Sequence, residues 1–231
     1  MRIPDVGLTM ALTLTLVAVP ATAQELAPDA LLSGVTHELI VVLKQQRETR
    51  PANPLKIAEA IETKVLPLFD FAHMTRVALA RNWRLASPEQ QKSLTAEFRT
   101  LLVRTYSSVL ASYEDQVIEF KPLRAAAGAT ELTVKSEMKQ SGKEPMAIDY
   151  DMQKTEAGWK VQDIKIAGVS LVTTYRGSFA DEVRDGGVAG LIKSLADKNK
   201  SAEASAKPHA SLRELSLRVY AYMHSALQHA Q

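Results

Sequence analysis

The sequence contains no cysteine, which removes disulfides, thiolate nucleophiles, Cys-ligated zinc and iron–sulfur clusters from its chemistry. Net charge is also nearly absent: 28 Lys and Arg against 26 Asp and Glu leave +2. A chain this close to neutral has no field with which to hold a polyanion, so nucleic acid is not an expected partner. The five histidines include no pair at i, i+4 with an intervening glutamate, so the zinc-protease pattern is missing and no metal site is expected. No phosphate loop is formed by Asp185-Gly186-Gly187 and Gly190, which no strand precedes and no Lys-Ser/Thr follows. Gly168-Val169-Ser170-Leu171-Val172 lacks the second glycine of a nucleophile elbow, and Ser170 reads instead as a helix N-cap after a sheet.

Long apolar runs are confined to the N-terminus. Met1-Arg2 supplies a positive start, Val6 to Val19 is apolar apart from Gly and Thr, and Ala21-Thr22-Ala23 is the small-x-small pattern of a signal-peptidase site. The run is shorter than the roughly 20 residues a membrane span needs and ends at Pro20, so residues 1–23 read as a cleaved signal peptide. Export makes cytosolic nucleotide cofactors unexpected. The composition is that of a globular protein, with 46% apolar and 23% charged residues in 231. Beyond the signal peptide the chain divides into a domain over 24–197 and, over 198–231, a linker with an amphipathic helix.

Helical spacing comes first. Leu31, Leu32, Val35, Leu39, Val42 and Leu43 recur at i, i+3, i+4 and i+7 up to about Arg50. Pro51, Pro54 and Pro67 mark corners, Asp70 is placed to cap a short helix, and Ser87-Pro88-Glu89-Gln90 carries the N-cap, N1 proline and capping box that open a long one. That helix aligns Leu94, Phe98, Leu101, Leu102, Thr105, Val109 and Tyr113. At Asp115 the period changes from 3.6 to 2. Val117–Leu123, Glu131–Lys139, Pro145–Gln153 and Trp159–Ile166 predict four strands in an antiparallel meander. Alternation places Ile118, Phe120, Leu132, Val134, Met138, Met146, Ile148, Tyr150 and Met152 on one face and Lys, Glu and Asp on the other. The apolar face must be covered by helices, by a ligand or by both. Helical spacing resumes from Ser170 to Leu195 with a break at Asp185-Gly186-Gly187; Lys198 to Pro208 reads as linker, and Leu212, Leu215, Val219, Tyr222, Met223 and Ala226 form a last stripe.

Candidate acid/base groups are few. Asp149 and Asp151 share the charged strand face and read as solvated. Asp163 falls where the alternation of its strand shifts, which suggests a bulge with a hydrogen-bonded carboxylate; Asp163 or His73 would be the acid/base group of an alternative pocket enzyme. Catalysis is not the expected function, and no catalytic residue is assigned.

Five blocks carry a resemblance: Val65-Leu66-Pro67-Leu68-Phe69-Asp70-Phe71, Ala80-Arg81-Asn82-Trp83-Arg84, Phe98 to Tyr106, Asp149-Tyr150-Asp151-Met152, and Gly158-Trp159 through Val172 to Tyr175-Arg176-Gly177-Ser178-Phe179. In order and spacing, from about Leu31 to Leu195, the chain resembles the MlaC or toluene-tolerance auxiliary family, of which the hopanoid-associated HpnM branch shares the blocks. The resemblance implies an α+β fold in which a helical layer wraps a curved four-stranded antiparallel sheet and encloses an apolar pocket. It further implies a periplasmic carrier, needing no cofactor, that shuttles phospholipid and maintains outer-membrane lipid asymmetry. The implied partners are an inner-membrane ABC transporter complex with an MCE-domain ring and an outer-membrane lipoprotein–porin complex, met by a monomer in transient membrane contact. From alternation and periodicity, Phe120, Val134, Ile148, Tyr150 and Met152 of the sheet and Leu101, Thr105 and Val109 of the long helix are the expected lipid-binding residues. Arg176 reads as structural or at the rim, since a cation among acyl chains is costly.

Overall fold

The computed structural model describes residues 26–49, 53–111, 115–126 and 128–205, excepting the side chains at 54, 108–111 and 202–205. The signal peptide and the stripe over 209–228 therefore lie outside the described residues. The described residues form five α-helices and a five-stranded antiparallel sheet: α1 (Pro28–Glu48), α2 (Pro54–Ala60), α3 (Phe71–Leu79), α4 (Pro88–Ala111), β1 (Val117–Phe120), β2 (Glu131–Lys139), β3 (Met146–Thr155), β4 (Gly158–Ile166), β5 (Val169–Ser170) and α5 (Arg176–Ser205). Strand order in space follows the sequence, as short connections dictate.

The caps form as the sequence implies. Asp70 accepts the His73 N–H at 2.9 Å, and at α4 the Ser87 Oγ accepts from Gln90 N while Gln90 Oε1 accepts from Ser87 N at 3.0 Å. Pro67, with no N–H to continue a helix, ends the segment that α2 begins, which passes through a π turn at Ile61–Val65 into a 3₁₀ turn at Leu66–Leu68.

Several boundaries differ from expectation for identifiable reasons. The first strand stops at Phe120, short of Leu123, because Pro122 has no N–H for the ladder. A fifth strand follows the fourth: Ile166 pairs with Val169 across a two-residue turn in which Ala167 and Gly168 both take positive φ, 50° and 82°. Such a hairpin turn favours Asn-Gly, so Ala-Gly gave no signal for it. Register slips between Asp151 and Met152, which makes Gln162 of β4 a bulge and explains the shifted alternation around Asp163.

The C-terminal helix departs most. Gly187 has φ 65° and ψ −175°, and Glu182 forms an ion pair with Lys198 at 2.6 Å. On a straight helix those residues would stand about 24 Å apart, so α5 folds back on itself at the glycine pair. Its second arm continues through 198–205, where the Lys, Ser and Ala content suggests a linker. Asn199, 5% exposed, donates to the main-chain and side-chain oxygens of Glu97 at 3.0 and 2.7 Å, and its carbonyl accepts from Arg104. The arm is thereby latched to α4.

Apolar packing is divided among three clusters. The largest joins α3, α4 and both arms of α5 around Phe98, whose ring meets Tyr175 and Phe179 edge-on at 5.0 and 5.2 Å. A second joins the sheet to the start of α1 through Leu32, Val134, Met152, Trp159 and Val161; a third joins α1 to α2 through Leu39, Leu43, Ala60 and Ile61. Phe69 and Ile164 touch the first and second clusters alike. Next to Phe69, Asp70 N donates to Val161 O at 2.9 Å, and Lys160 Nζ donates to Pro67 O at 2.6 Å, so the helical layer is fastened along β4.

Candidate functional site

The site follows from the register of the sheet. Ile118 opposes Met138, Met138 opposes Met146, Val134 opposes Tyr150, Ile148 opposes Ile166, and Leu132 opposes Met152, which opposes Val161. One face is therefore apolar, interrupted by Ser136. The other carries Lys121–Glu137, Lys139–Glu119 and Lys165–Asp151 ion pairs at 2.7, 2.5 and 2.7 Å, and Asp149 opposes Lys135 and Lys165. A two-faced antiparallel sheet of this kind has one side to hide.

The helices hide only part of it. Val134 is fully buried and Met152 is 2% exposed, both within the second cluster. Toward the other end of the face, Ile118, Met138, Met146, Ile148 and Ile166 are half-buried and belong to none of the three clusters. Among the packed helices, α4 turns Leu94, Phe98 and Leu102 into the first cluster and leaves Leu101 and Thr105 half-buried beside it. Among the described residues, the apolar side chains at that end of the sheet face are not taken up by any of the three clusters.

The eight residues chosen from periodicity thus separate by environment. Val134 and Met152 are packed core at the base of the face. Phe120 and Tyr150 sit at the edge of that cluster with rings stacked at 6.1 Å, and Ile148 lies outside it. Leu101 and Thr105 lie half-buried on α4, where Thr105 Oγ1 donates to the Leu101 carbonyl at 2.8 Å. Val109 is on α4, with its side chain outside the described ones.

Periodicity missed Ser136. It is 2% exposed, stands on the apolar face by strict alternation, and donates from Oγ to the Ile148 carbonyl at 2.7 Å. Burial pushes the Tyr150 phenol above its usual pKa, and a hydrogen bond with Ser136 pulls the other way. The phenol is therefore neutral at physiological pH, and the face carries no charge of its own. Counting position 136 with 132, 134 and 138 would have shown a polar group on this face from sequence.

The two alternative acid/base candidates sit in separate hydrogen-bond settings. Asp163 Oδ1 accepts from Ile164 N at 2.9 Å and Val172 N at 3.2 Å, and Oδ2 accepts from Ser170 Oγ; Ser170 Oγ in turn accepts from Thr173 N at 3.0 Å. That network fastens β4 to β5 and, through the Thr173 N–H, to the 3₁₀ turn at Thr173–Tyr175; the N-cap position there is Val172, and Ser170, read from sequence as the N-cap, lies in β5. His73 Nδ1 faces Arg76 Nη2 at 3.0 Å, and burial first, then Arg76, lowers its pKa. Among the charges acting on His73, that of Asp163 is the weakest. Arg176 is exposed and donates from Nε to the Val77 carbonyl at 3.0 Å, a structural contact at the end of α3. Among the described residues no three His, Asp or Glu side chains group as metal ligands, and no helix is long and apolar enough to cross a membrane.

Comparison with known proteins places this arrangement. The toluene tolerance protein ttg2D of Pseudomonas putida is 25% identical over 161 residues, 69% of this chain and 74% of that one. A solved structure, the phospholipid-binding protein from Ralstonia solanacearum in complex with a phospholipid, superposes with a TM-score of 0.68 at 36% identity, covering 76% of this chain and 98% of the other. The profile of the MlaC protein family matches residues 33–197, a span that holds the whole sheet and α4, and the chain belongs to the MlaC family.

Proposed function

We propose that this protein is a periplasmic phospholipid carrier that holds acyl chains against the half-covered apolar face of its sheet. The observation that carries the reading is the strip of half-buried side chains from Ile118 to Ile166, which lies outside every core cluster in a fold whose solved relative is a phospholipid complex. Phe120, Ile148 and Tyr150 line the site from the sheet and Leu101 and Thr105 from α4, with Val134 and Met152 beneath them. Nothing charged is needed to hold a hydrocarbon tail.

Burying two chains of about 16 carbons at about 0.8 kcal/mol per CH₂ is worth at most about 25 kcal/mol relative to water. Relative to a bilayer the gain is close to zero. Such a carrier hides lipid across an aqueous gap, and partners set its direction: an outer-membrane lipoprotein–porin complex at one end and an inner-membrane ABC transporter with an MCE-domain ring at the other. The role served is outer-membrane lipid asymmetry, and no catalytic step enters it.

Native mass spectrometry of the mature chain, purified without delipidation, tests the reading. An adduct of phospholipid mass is expected. A hopanoid mass would move the protein to the hopanoid-associated branch, and a bare polypeptide mass would overturn the carrier reading.

A further inference from the structure

A second surface stands apart from the sheet face, where α3 ends and α5 begins. Ala80, with φ 49°, breaks α3 and turns the chain into a 3₁₀ turn over Ala80–Leu85. Side chains three apart eclipse on a 3₁₀ turn, so Arg81 and Arg84 project on one side. Trp83 packs against the first cluster, and Gln91 Nε2 holds the turn by donating to the carbonyls of Trp83 and Ala86 at 3.3 and 3.2 Å. Arg76 stands in the last turn of α3, and Arg176 reaches the same turn through the Val77 carbonyl. All four arginines are exposed, and beside them Leu85 is 67% exposed.

Counter-charge is missing there. The last turn of α3, the 3₁₀ turn and the first turn of α5 contain no carboxylate. The neighbouring ones are engaged elsewhere: Asp70 caps the far end of α3, Glu89 accepts from Ser87, Asp181 pairs with Arg184, and Glu131 and Asp163, whose charges reach His73 beside Arg76, accept from Gln153 and Ser170. Among the described residues Arg81 and Arg84 have no hydrogen-bond or ion-pair partner, whereas Lys64, Arg99, Lys121, Lys139 and Lys165 each meet a carboxylate. In a chain of net charge +2, this corner concentrates cations.

We propose that the arginine corner at the α3–α5 junction docks the protein on a membrane surface rich in anionic phospholipid headgroups. Guanidinium groups pair phosphates through two parallel N–H bonds. A single-sign patch without carboxylate partners suits mobile headgroups that move to meet each cation, where a specific protein interface would mix both signs. Leu85, protruding among the arginines, supplies a shallow apolar contact at the headgroup boundary. The site is independent of acyl-chain binding, so either can fail alone.

Co-sedimentation of the full mature chain with phosphatidylglycerol-containing and pure phosphatidylcholine vesicles tests it. Binding is expected on the first only, and is expected to vanish at about 1 M salt, where the Debye length is about 3 Å. Each arginine contributes roughly fivefold to partitioning, so Arg81→Gln with Arg84→Gln weakens binding about 25-fold. Leu85→Ser keeps the salt dependence and lowers affinity. Circular dichroism melting and native mass spectrometry of the variants monitor folding and lipid occupancy, which remain as in the parent. Equal binding to both vesicle types, an unchanged double variant, or retention on immobilised polyglutamate without vesicle binding would overturn the proposal, the last in favour of an acidic protein partner.

Discussion

Replacing Ile148 by tryptophan separates a lipid-binding face from ordinary core. Ile148 is half-buried, opposes Ser136 and Ile166, and packs in none of the three clusters. If the face holds acyl chains, a tryptophan there takes the room of roughly three of their methylenes. At about 0.8 kcal/mol each this weakens acyl-chain binding by about 2.4 kcal/mol, roughly sixtyfold. Stability changes little, so the melting temperature should stay within about 2 °C of the parent. Val134, on the neighbouring strand and fully buried, provides the contrast. Tryptophan at that position overpacks the second cluster, costing about 1–3 kcal/mol, or roughly 3–10 °C in a domain of this size. Lipid occupancy by native mass spectrometry, read beside thermal unfolding, gives both quantities. If Ile148→Trp keeps full occupancy with a normal melt, the half-covered face does not hold lipid, and the reasoning fails.

The polar groups near the sheet give two further predictions. Asp163→Ala removes the acceptor of two main-chain N–H groups and the Ser170 hydroxyl, so unfolding should become easier by about 2–3 kcal/mol while the folded protein keeps its lipid; lipid loss with an unchanged melt would give Asp163 a role in the site itself. His73 titrates below its ordinary 6.5 because it is partly buried and faces Arg76. The unfolded chain takes up that proton at the ordinary pKa and the folded chain only at lower pH, so stability is full above about 6.5 and declines as pH falls toward the folded-state value. Denaturant titrations from pH 7.5 to 5 should show this slope flattened in His73→Gln; an identical slope in the variant would remove His73 from the account.

The α+β architecture, the caps at Asp70 and Ser87 and the two faces of the sheet were legible because each rests on local chemistry. A side-chain oxygen reaches an N–H two or three residues on, and a strand alternates with period 2 whatever it packs against. Less local features escaped. The fifth strand depends on an alanine held at positive φ, which propensity argues against. The second arm of α5 is helical where composition suggests a linker, because Asn199 finds Glu97 and Arg104 about a hundred residues earlier in the chain. Neither contact has a signature along the sequence.

Periodicity therefore determined which side chains share the apolar face, since neighbours two apart on a strand have no other choice. It did not determine which of them are used up. Val134 and Ile148 carry the same signal on the same face, yet one is packed to completion in the cluster of Leu32, Met152 and Val161 while the other is left half-open. That division is set by where α1, α3 and the β4 fastening bring the helical layer against the sheet. Burial is a property of what approaches from outside the segment, so only the tertiary structure decided it.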